Sequence, residues 1–340
     1  MIDFRSDTVT KPTKAMREVM YHAVVGDDVY EDDATIKTLE SLAAKITGKE
    51  AGLFVPSGTM GNQIAIMTHT QRGDEIIVGK NSHIKTYEVG AAAVLSGVSY
   101  HVVAEKRGAL QIQDIIKGIR GDDIHFPKTS LICMENAHGS GVVASLSDME
   151  AVAKIAKIHK IATHLDGARL FNAAVHLNVS PDTIAQTADS VMICLSKGLS
   201  SPIGSLLVGS KDFILRARKY RKMLGGGMRQ VGVLGATGIV SLNEMTKRLY
   251  IDHENAQYLA EKLNHFKDFE VNFDALDINM VFVKIHLNKE DFSRYMKEKG
   301  FILGGYKDDV MRLVCHNDIS RADVDAFLHE VQNYTQSISR

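Results

Sequence analysis

The chain has 340 residues, of which 45% are hydrophobic and 24% are charged, a composition typical of a globular protein with a large core. Forty basic and forty-one acidic residues leave a net charge of -1, which argues against nucleic acid or an anionic membrane as a partner. No window approaches the apolar length of a spanning helix or a signal peptide, so we expect neither.

The cysteine content indicates a reducing compartment. Cys133, Cys194 and Cys315 all lie in apolar runs, and an odd number in such places is typical of reduced thiols packed as small hydrophobic side chains. We therefore predict a cytoplasmic protein.

Short β-branched apolar runs alternate with helical patterns between about residue 50 and residue 210. We predict strands at 51–55, 75–78, 98–103, 130–134, 161–165, 190–195 and 204–208, with helices such as 60–69 and 147–159 between them. This alternation predicts an α/β fold with a mostly parallel, doubly wound sheet.

The pattern changes after residue 229. We predict helices at 231–243 and 252–266, then strands at 280–285 and 310–315 separated by a helix at 290–299 and followed by a helix from Ser320. The change in rhythm predicts a large α/β domain with an N-terminal arm at residues 1–245 and a smaller C-terminal α/β domain at 246–340.

A candidate anion site follows the first of the predicted strands. The segment VPSGTMGNQ, residues 55–63, runs from a strand into a helix, and Ser57, Gly58 and Thr59 stand where free N–H groups and the helix dipole favour a phosphate. The alternative is an ordinary helix cap. No Walker lysine follows and the glycine spacing matches no dinucleotide fingerprint, so nucleotide binding is poorly supported.

Asp166 ends another predicted strand in HLDGARL, residues 164–170. It is either part of a common Asp-Gly turn or a carboxylate that pairs with a protonated pyridine nitrogen, as a pyridoxal phosphate site requires. Strand alternation puts His164 on the same face as Asp166. Metal binding by these two residues lacks an obvious further pair of ligands.

Lys197 follows a predicted buried strand in CLSKGLSS, residues 194–201. Without context, a solvated surface lysine is the commoner case. The alternative is an amine in a partly dry pocket that forms a Schiff base with a carbonyl, and the small neighbours Ser196 and Gly198 leave room for a planar group. The edge at which parallel strands end is also where open α/β sheets bind ligands.

Three further candidates are weaker when taken alone. Arg229 follows three glycines in RKMLGGGMRQ, residues 221–230, where backbone can approach a ligand or a neighbouring chain, although a flexible loop is the default interpretation. His83 and His125 are single histidines, which are more often structural than catalytic.

Taken in order, these segments resemble the low-specificity L-threonine aldolases, enzymes of the aspartate-aminotransferase-like fold type I that use pyridoxal 5′-phosphate. The resemblance covers nearly the whole chain, and the segments that carry it are DFRSDTVTKPT, GDDVY, FVPSGTMGNQ, RGDEII, SHI with YEVGA, IHFPKTSL, HLDGARLFNA, CLSKGL, RKMLGGGMRQ and RLVCH. Ten segments in register make the resemblance specific.

The resemblance implies a role for each candidate residue. Lys197 would bind the cofactor as a Schiff base, Asp166 would bond its pyridine nitrogen and His83 would stack on its ring. The phosphate would be held by Ser57, Gly58 and Thr59, with Arg229 from a neighbouring subunit. Ser6, Arg169 and Arg312 would grip the substrate carboxylate, with Arg169 also near the cofactor, and Tyr30 would close the site from the partner chain.

The implied reaction cleaves L-threonine, L-allo-threonine and other β-hydroxy-α-amino acids to glycine and an aldehyde. His83 or His125, directly or through water, are the candidates for the base that removes the β-hydroxyl proton. The implied assembly is a homo-oligomer, usually a tetramer built from dimers that share their active sites, and no metal ligand is assigned. A pyridoxal phosphate lyase that eliminates a β substituent, and a catalytically silent scaffold, are the competing hypotheses.

Overall fold

In a computed structural model, which describes residues 1–338, the chain folds around a seven-stranded and a four-stranded β-sheet, with two further two-stranded pairings. The strands are β1 Ile2–Asp3, β2 Ala51–Val55, β3 Glu75–Gly79, β4 Ser99–Val103, β5 Glu105–Lys106, β6 Ala109–Leu110, β7 Thr129–Glu135, β8 Ala162–Asp166, β9 Ser190–Cys194, β10 Ser205–Gly209, β11 Phe269–Val271, β12 Met280–Ile285, β13 Phe301–Ile302, β14 Tyr306–Lys307 and β15 Val310–Val314. Each strand predicted between residues 50 and 210 is present, with its ends shifted by one residue at most.

The helices fill the intervals between the strands. They are α1 Lys14–Tyr21, α2 Ala34–Thr47, α3 Gly58–His69, α4 His83–Thr86, α5 Ile112–Gly118, α6 Leu146–His159, α7 Leu170–Leu177, α8 Pro181–Ala185, α9 Lys211–Met223, α10 Gly232–Asn243, α11 Leu249–Leu263, α12 Lys289–Glu298 and α13 Arg321–Ile338. Among these described helices, none combines the length and the apolar composition that crossing a membrane requires.

The larger sheet has the strand order β2-β10-β9-β8-β7-β3-β4. Only β10 runs antiparallel to its neighbours, and the other strands of this sheet run in one direction. The prediction of a mostly parallel sheet is therefore confirmed. Because β3, β9 and β10 are buried along their whole length, their sequences are continuous apolar runs rather than alternating ones.

The smaller sheet is antiparallel, in the order β11-β12-β15-β14. Its core contains Phe292, Phe301 and Phe327, and the N-terminal Phe4 packs into the same cluster. Strand β1 pairs in parallel with β13, and the Val314 N–H donates to the Phe4 carbonyl at 2.9 Å. The start of the chain is thereby fixed against the smaller sheet, and the residues that follow it run toward the edge of the larger one.

Candidate active site

The candidate residues gather at one edge of the larger sheet. Strand β8 ends at Asp166, β9 ends three residues before Lys197, and β2 ends two residues before Ser57. Helix α4 begins at His83, shortly after β3 ends. Because these strands are parallel, their carboxyl ends meet at a single edge, where open α/β sheets bind ligands.

Lys197 has a fixed backbone and a free amine. Its carbonyl accepts hydrogen bonds from Thr10 Oγ1 and from the Ser200 N–H, both at 2.9 Å. Ser200 has a φ of 60°, so the chain turns sharply just after the lysine. Within residues 1–338, no hydrogen bond or ion pair involves Lys197 Nζ, and the side chain is only partly buried. The amine is thus available for reaction.

Asp166 is almost completely buried, and both of its carboxylate oxygens accept hydrogen bonds. Oδ2 accepts from Asn62 Nδ2 at 2.8 Å, and Oδ1 accepts from the Ala168 N–H at 3.1 Å. Asn62 belongs to α3, the helix that begins at the candidate phosphate site. The carboxylate is therefore oriented by two elements of the fold.

His83 is connected to Asp166 through Glu88 and Asn62. His83 Nδ1 lies 2.8 Å from Glu88 Oε1, and that hydrogen bond raises the pKa of His83. Asn62 Nδ2 donates to the same Oε1 at 2.8 Å, and Gln63 Nε2 donates to Oε2 at 2.6 Å. Sequence reasoning missed Asn62 and Glu88, although both lie in segments that carry the resemblance.

His164 lies behind this group, on the same side of the sheet as Asp166, as strand alternation predicts. Its Nε2 lies 3.1 Å from Asn62 Oδ1, and its Nδ1 lies 2.9 Å from Ser190 Oγ. Burial lowers the pKa of His164 to about 3, so the ring is neutral. Because both nitrogens have partners, His164 is not free to bind a metal.

A different set of three residues has the geometry to ligate a cation. Ligand atoms of His83, Glu88 and Asp166 lie within 4.8 Å of one another. The amide hydrogens of Asn62 already point at an oxygen of each of the two carboxylates. The neutral amide of Asn62 therefore hydrogen-bonds to both Glu88 and Asp166, and these hydrogen bonds stabilise the two carboxylates in the place of a metal ion.

The candidate phosphate site has donors that the helix itself does not use. Ser57 caps α3 through its Oγ, which accepts from the Met60 N–H at 3.2 Å, so the simple cap interpretation is also correct. In the described chain, the N–H groups of Gly58 and Thr59 have no acceptor. A Cβ at Gly58 would come within 2.8 Å of Cys194 Sγ, so the helix start lies close against the end of β9.

Arg169 is buried in an ion pair with Asp7, a residue that sequence reasoning did not select. Arg169 Nε donates to Asp7 Oδ2 at 2.8 Å and Nη2 donates to Oδ1 at 2.6 Å. Burial opposes ionisation of Asp7, but Arg169, with help from Lys197 and Arg312, lowers its pKa to about 2. Burial, followed by the charge of Arg169, lowers the pKa of Arg312. Ser6 lies next to Asp7 and is partly buried.

Three of the predicted site residues lie elsewhere on the surface of the chain. His125 is on an exposed segment, where its Nδ1 lies 2.8 Å from Asp123 Oδ1. Tyr30 is 74% exposed, and Arg229 lies close to it because the Asp28 N–H donates to the Arg229 carbonyl at 3.0 Å. Across residues 1–338, none of these three side chains is hydrogen-bonded to Lys197, Asp166 or His83.

Comparisons with known proteins agree over nearly the full length of the chain. The sequence profile of the beta-eliminating lyase family matches residues 3–286. The chain is 45% identical over 333 residues to low-specificity L-threonine aldolase 1 of Arabidopsis thaliana, covering 95% of this chain and 93% of that one. It is 43% identical over 325 residues to the low-specificity L-threonine aldolase of Escherichia coli K12, covering 94% and 95%. A Leishmania major threonine aldolase structure shares the fold, with a TM-score of 0.84, 18% identity and coverage of 98% and 99%.

Proposed function

The chain belongs to the beta-eliminating lyase family and, within it, to the low-specificity L-threonine aldolases, and from that premise we propose that it cleaves L-threonine and L-allo-threonine to glycine and acetaldehyde. The observation that carries the proposal is the free amine of Lys197 at the sheet edge where the buried carboxylate of Asp166 also lies. A nucleophilic amine and a fixed carboxylate are the two groups that a pyridoxal phosphate site requires.

The cofactor of this enzyme is pyridoxal 5′-phosphate, and the residues present fit it. Lys197 Nζ would bind its aldehyde carbon, Asp166 would face its pyridine nitrogen, and His83 would lie against its ring. The unused N–H groups of Gly58 and Thr59, beside Ser57, are suited to its phosphate. When bound, the cofactor supplies an electron-accepting ring that stabilises the carbanion left by bond cleavage.

The carboxylate of the substrate is best matched by Ser6, Arg169 and Arg312. Asp7 occupies Nε and Nη2 of Arg169, so Nη1 is the nitrogen left for a substrate. Arg312 donates through Nη2 to the Arg5 carbonyl at 3.3 Å, which leaves its other donors available. Two guanidinium groups around one internal carboxylate keep a net positive charge, and that charge would orient the substrate by its carboxylate.

His83 and His125 remain the candidates for the base that takes the β-hydroxyl proton. Each has a carboxylate beside Nδ1, which favours the proton at Nδ1 and leaves Nε2 as the acceptor. His83 is the better positioned of the two, because it is linked to Asp166 through Glu88 and Asn62, whereas His125 lies on an exposed segment. The assignment between these histidines, directly or through water, stays a prediction.

We propose a homotetramer built from dimers that share active sites, with Tyr30 and Arg229 contributed by the partner chain. The support is a group of exposed apolar side chains close to them in the sequence, at Tyr21, Val24 and Met223. Surface of this kind is typical of an interface. Arg229 could then complete the phosphate site from outside the chain.

Two further proposals concern organisation and location. The division into residues 1–245 and 246–340 is supported by the separate cores of the two sheets, although Phe4 belongs to the core of the smaller one. A cytoplasmic location is supported by the three cysteines, which are all free and buried.

The family match also keeps β-elimination as a second candidate function, since that reaction would use Lys197 and Asp166 as well. The products distinguish the two reactions. We expect the purified protein to show a visible absorption band with pyridoxal phosphate and to form glycine and acetaldehyde from L-threonine and L-allo-threonine. Ammonia and an oxo acid without glycine would contradict the aldolase proposal.

A further inference from the structure

Glu88 is a buried carboxylate to which three side chains donate hydrogen bonds. Its Oε1 accepts from Asn62 Nδ2 and from His83 Nδ1, each at 2.8 Å, and its Oε2 accepts from Gln63 Nε2 at 2.6 Å. Its side chain is completely inaccessible to solvent. A buried carboxylate is costly unless it is bonded in this way, so the donors and Glu88 hold one another in place.

The backbone beside Glu88 is strained. Val89 has a φ of 56° and is 97% exposed. A β-branched residue is strongly disfavoured in the left-handed region, and strain of this kind persists where the surrounding structure imposes it, often at functional sites. Here the strained turn leaves Val89 in solvent while the preceding carboxylate is directed into the site.

Asn62 has only one orientation that satisfies its neighbours. Its Nδ2 must point to the carboxylates of Asp166 and Glu88, because neither can donate when ionised. Its Oδ1 therefore accepts from Nε2–H of His164, and His164 Nδ1 accepts from the Ser190 hydroxyl. The direction of every hydrogen bond from Ser190 to the carboxylates follows from this arrangement.

We propose that Glu88 and Asn62 are positioning residues that couple His83 to Asp166. Glu88 sets the tautomer and charge of His83, and Asn62 aims the carboxylate of Asp166. The inference rests on the proposed function, in which His83 and Asp166 both face the cofactor ring. Because one amide donates to both carboxylates, the position of either carboxylate depends on the other.

The other charged groups around His83 act less directly. Asp166 raises the pKa of His83 and Lys197 lowers it, both through space, whereas Glu135 accepts from the backbone N–H of His83. Among residues 1–338, only Glu88 is hydrogen-bonded to the imidazole, and that bond makes the largest contribution to the raised pKa of His83. Removal of the charge of Glu88 should therefore change the pKa of His83 more than removal of any of these other charges.

The first test measures the protonation of His83 without reference to activity. Diethylpyrocarbonate modifies the neutral imidazole, and peptide mapping by mass spectrometry gives the rate of modification of His83 in the purified full-length protein as a function of pH. In E88Q we expect the pH midpoint for modification of His83 to fall by about one unit or more, because the negative charge next to the imidazole is lost. An unchanged midpoint would overturn the role of Glu88.

Two controls belong to this test. His125, which is paired with Asp123, should keep its own midpoint in E88Q. E270Q removes a glutamate that lies 3.4 Å from His286 on the smaller sheet, and it should leave His83 unchanged. If E88Q does not fold, E88D keeps the charge but shortens the side chain, and a lower midpoint for His83 is again expected, whereas no shift contradicts the proposal.

The second test concerns Asn62 and uses its neighbour as the matched control. Asn62→Leu removes a donor from both Asp166 and Glu88, whereas Gln63→Leu removes a donor from Glu88 alone, so the two variants differ in the hydrogen bond to Asp166. We expect the dissociation constant of pyridoxal phosphate to rise about tenfold in Asn62→Leu, because Asp166 loses a hydrogen bond to its charged carboxylate, and to rise much less in Gln63→Leu. Equal constants in the two variants would overturn the role of Asn62.

Failure of the proposed function would give a different result from failure of this inference. A wild-type protein that forms no glycine from threonine would contradict the aldolase proposal. If the wild-type protein is active but the pH midpoint for modification of His83 is the same in the wild type and in E88Q, only the coupling is contradicted.

Discussion

Asp7 and Arg169 form a buried, two-point ion pair between the N-terminal segment and the loop after β8, with N to O distances of 2.8 and 2.6 Å. The two residues are 162 positions apart in the chain. Asp7 lies three residues after Phe4, which is anchored in the core of the smaller sheet. The pair therefore connects the smaller sheet to the edge of the larger one at which the candidate site lies.

Asp7→Asn should destabilise the protein by about 3 kcal/mol, because it leaves the buried Arg169 without a compensating charge. Denaturant unfolding measures the loss. The more exposed pair of Arg5 and Asp3 offers a control, since Asp3→Asn should change stability far less. Equal effects of the two variants would show that the Asp7 pair is not a structural link.

Stability should fall as the pH drops below about 6.5, because two buried histidines stay neutral in the folded chain. Burial lowers the pKa of His164 to about 3 and that of His69 to about 4, so the unfolded chain binds protons that the folded chain does not. Each histidine removes about 1.4 kcal/mol per pH unit in this window. Asp7, with its pKa lowered to about 2, contributes only below about pH 4.

Unfolding free energies measured between pH 5 and pH 6.5 test this prediction. In His69→Gln the slope of the unfolding free energy against pH should decrease by the amount that corresponds to one bound proton, about 1.4 kcal/mol per pH unit. A wild-type free energy that does not change over this range would mean that these histidines are not buried in the neutral form.

Lys197→Ala should abolish the visible absorption band with pyridoxal phosphate and lower turnover by about a thousandfold or more, as expected when a covalent attachment point is lost. The Lys197 amine makes no hydrogen bond within residues 1–338, so folding and assembly should not change. Circular dichroism and size measurement provide the control. A variant with normal colour and rate would contradict the assignment of Lys197.

Arg229→Ala and Lys197→Ala should complement each other if Arg229 acts in the site of a neighbouring chain. In a hybrid dimer one site carries both substitutions and the other carries neither, so an equal mixture should regain about a quarter of wild-type activity. The assay is glycine formation after the inactive variants are unfolded and refolded together. A mixture that stays inactive would indicate that Arg229 acts within its own chain.

Local sequence was sufficient to select Lys197 and Asp166 as candidates, because each follows a buried apolar run at the end of a predicted strand. It was not sufficient for Asn62, which lies inside helix α3. An asparagine at such a position carries no local pattern that indicates a functional role. The two carboxylate partners of Asn62 are 26 and 104 residues away. Glu88 likewise follows no strand, and only its contacts distinguish it from a surface glutamate.

The sequence by itself determined the order of strands and helices, the sheet edge at which the candidate residues gather and the family. Those properties follow from apolar periodicity and from short motifs, which act over a few neighbouring residues. Only the tertiary structure decided which polar side chains meet at that edge, such as Asp7 with Arg169 and Asn62 with Asp166. Such contacts depend on how distant segments pack, and desolvation makes each buried charge depend on a partner that no local pattern identifies.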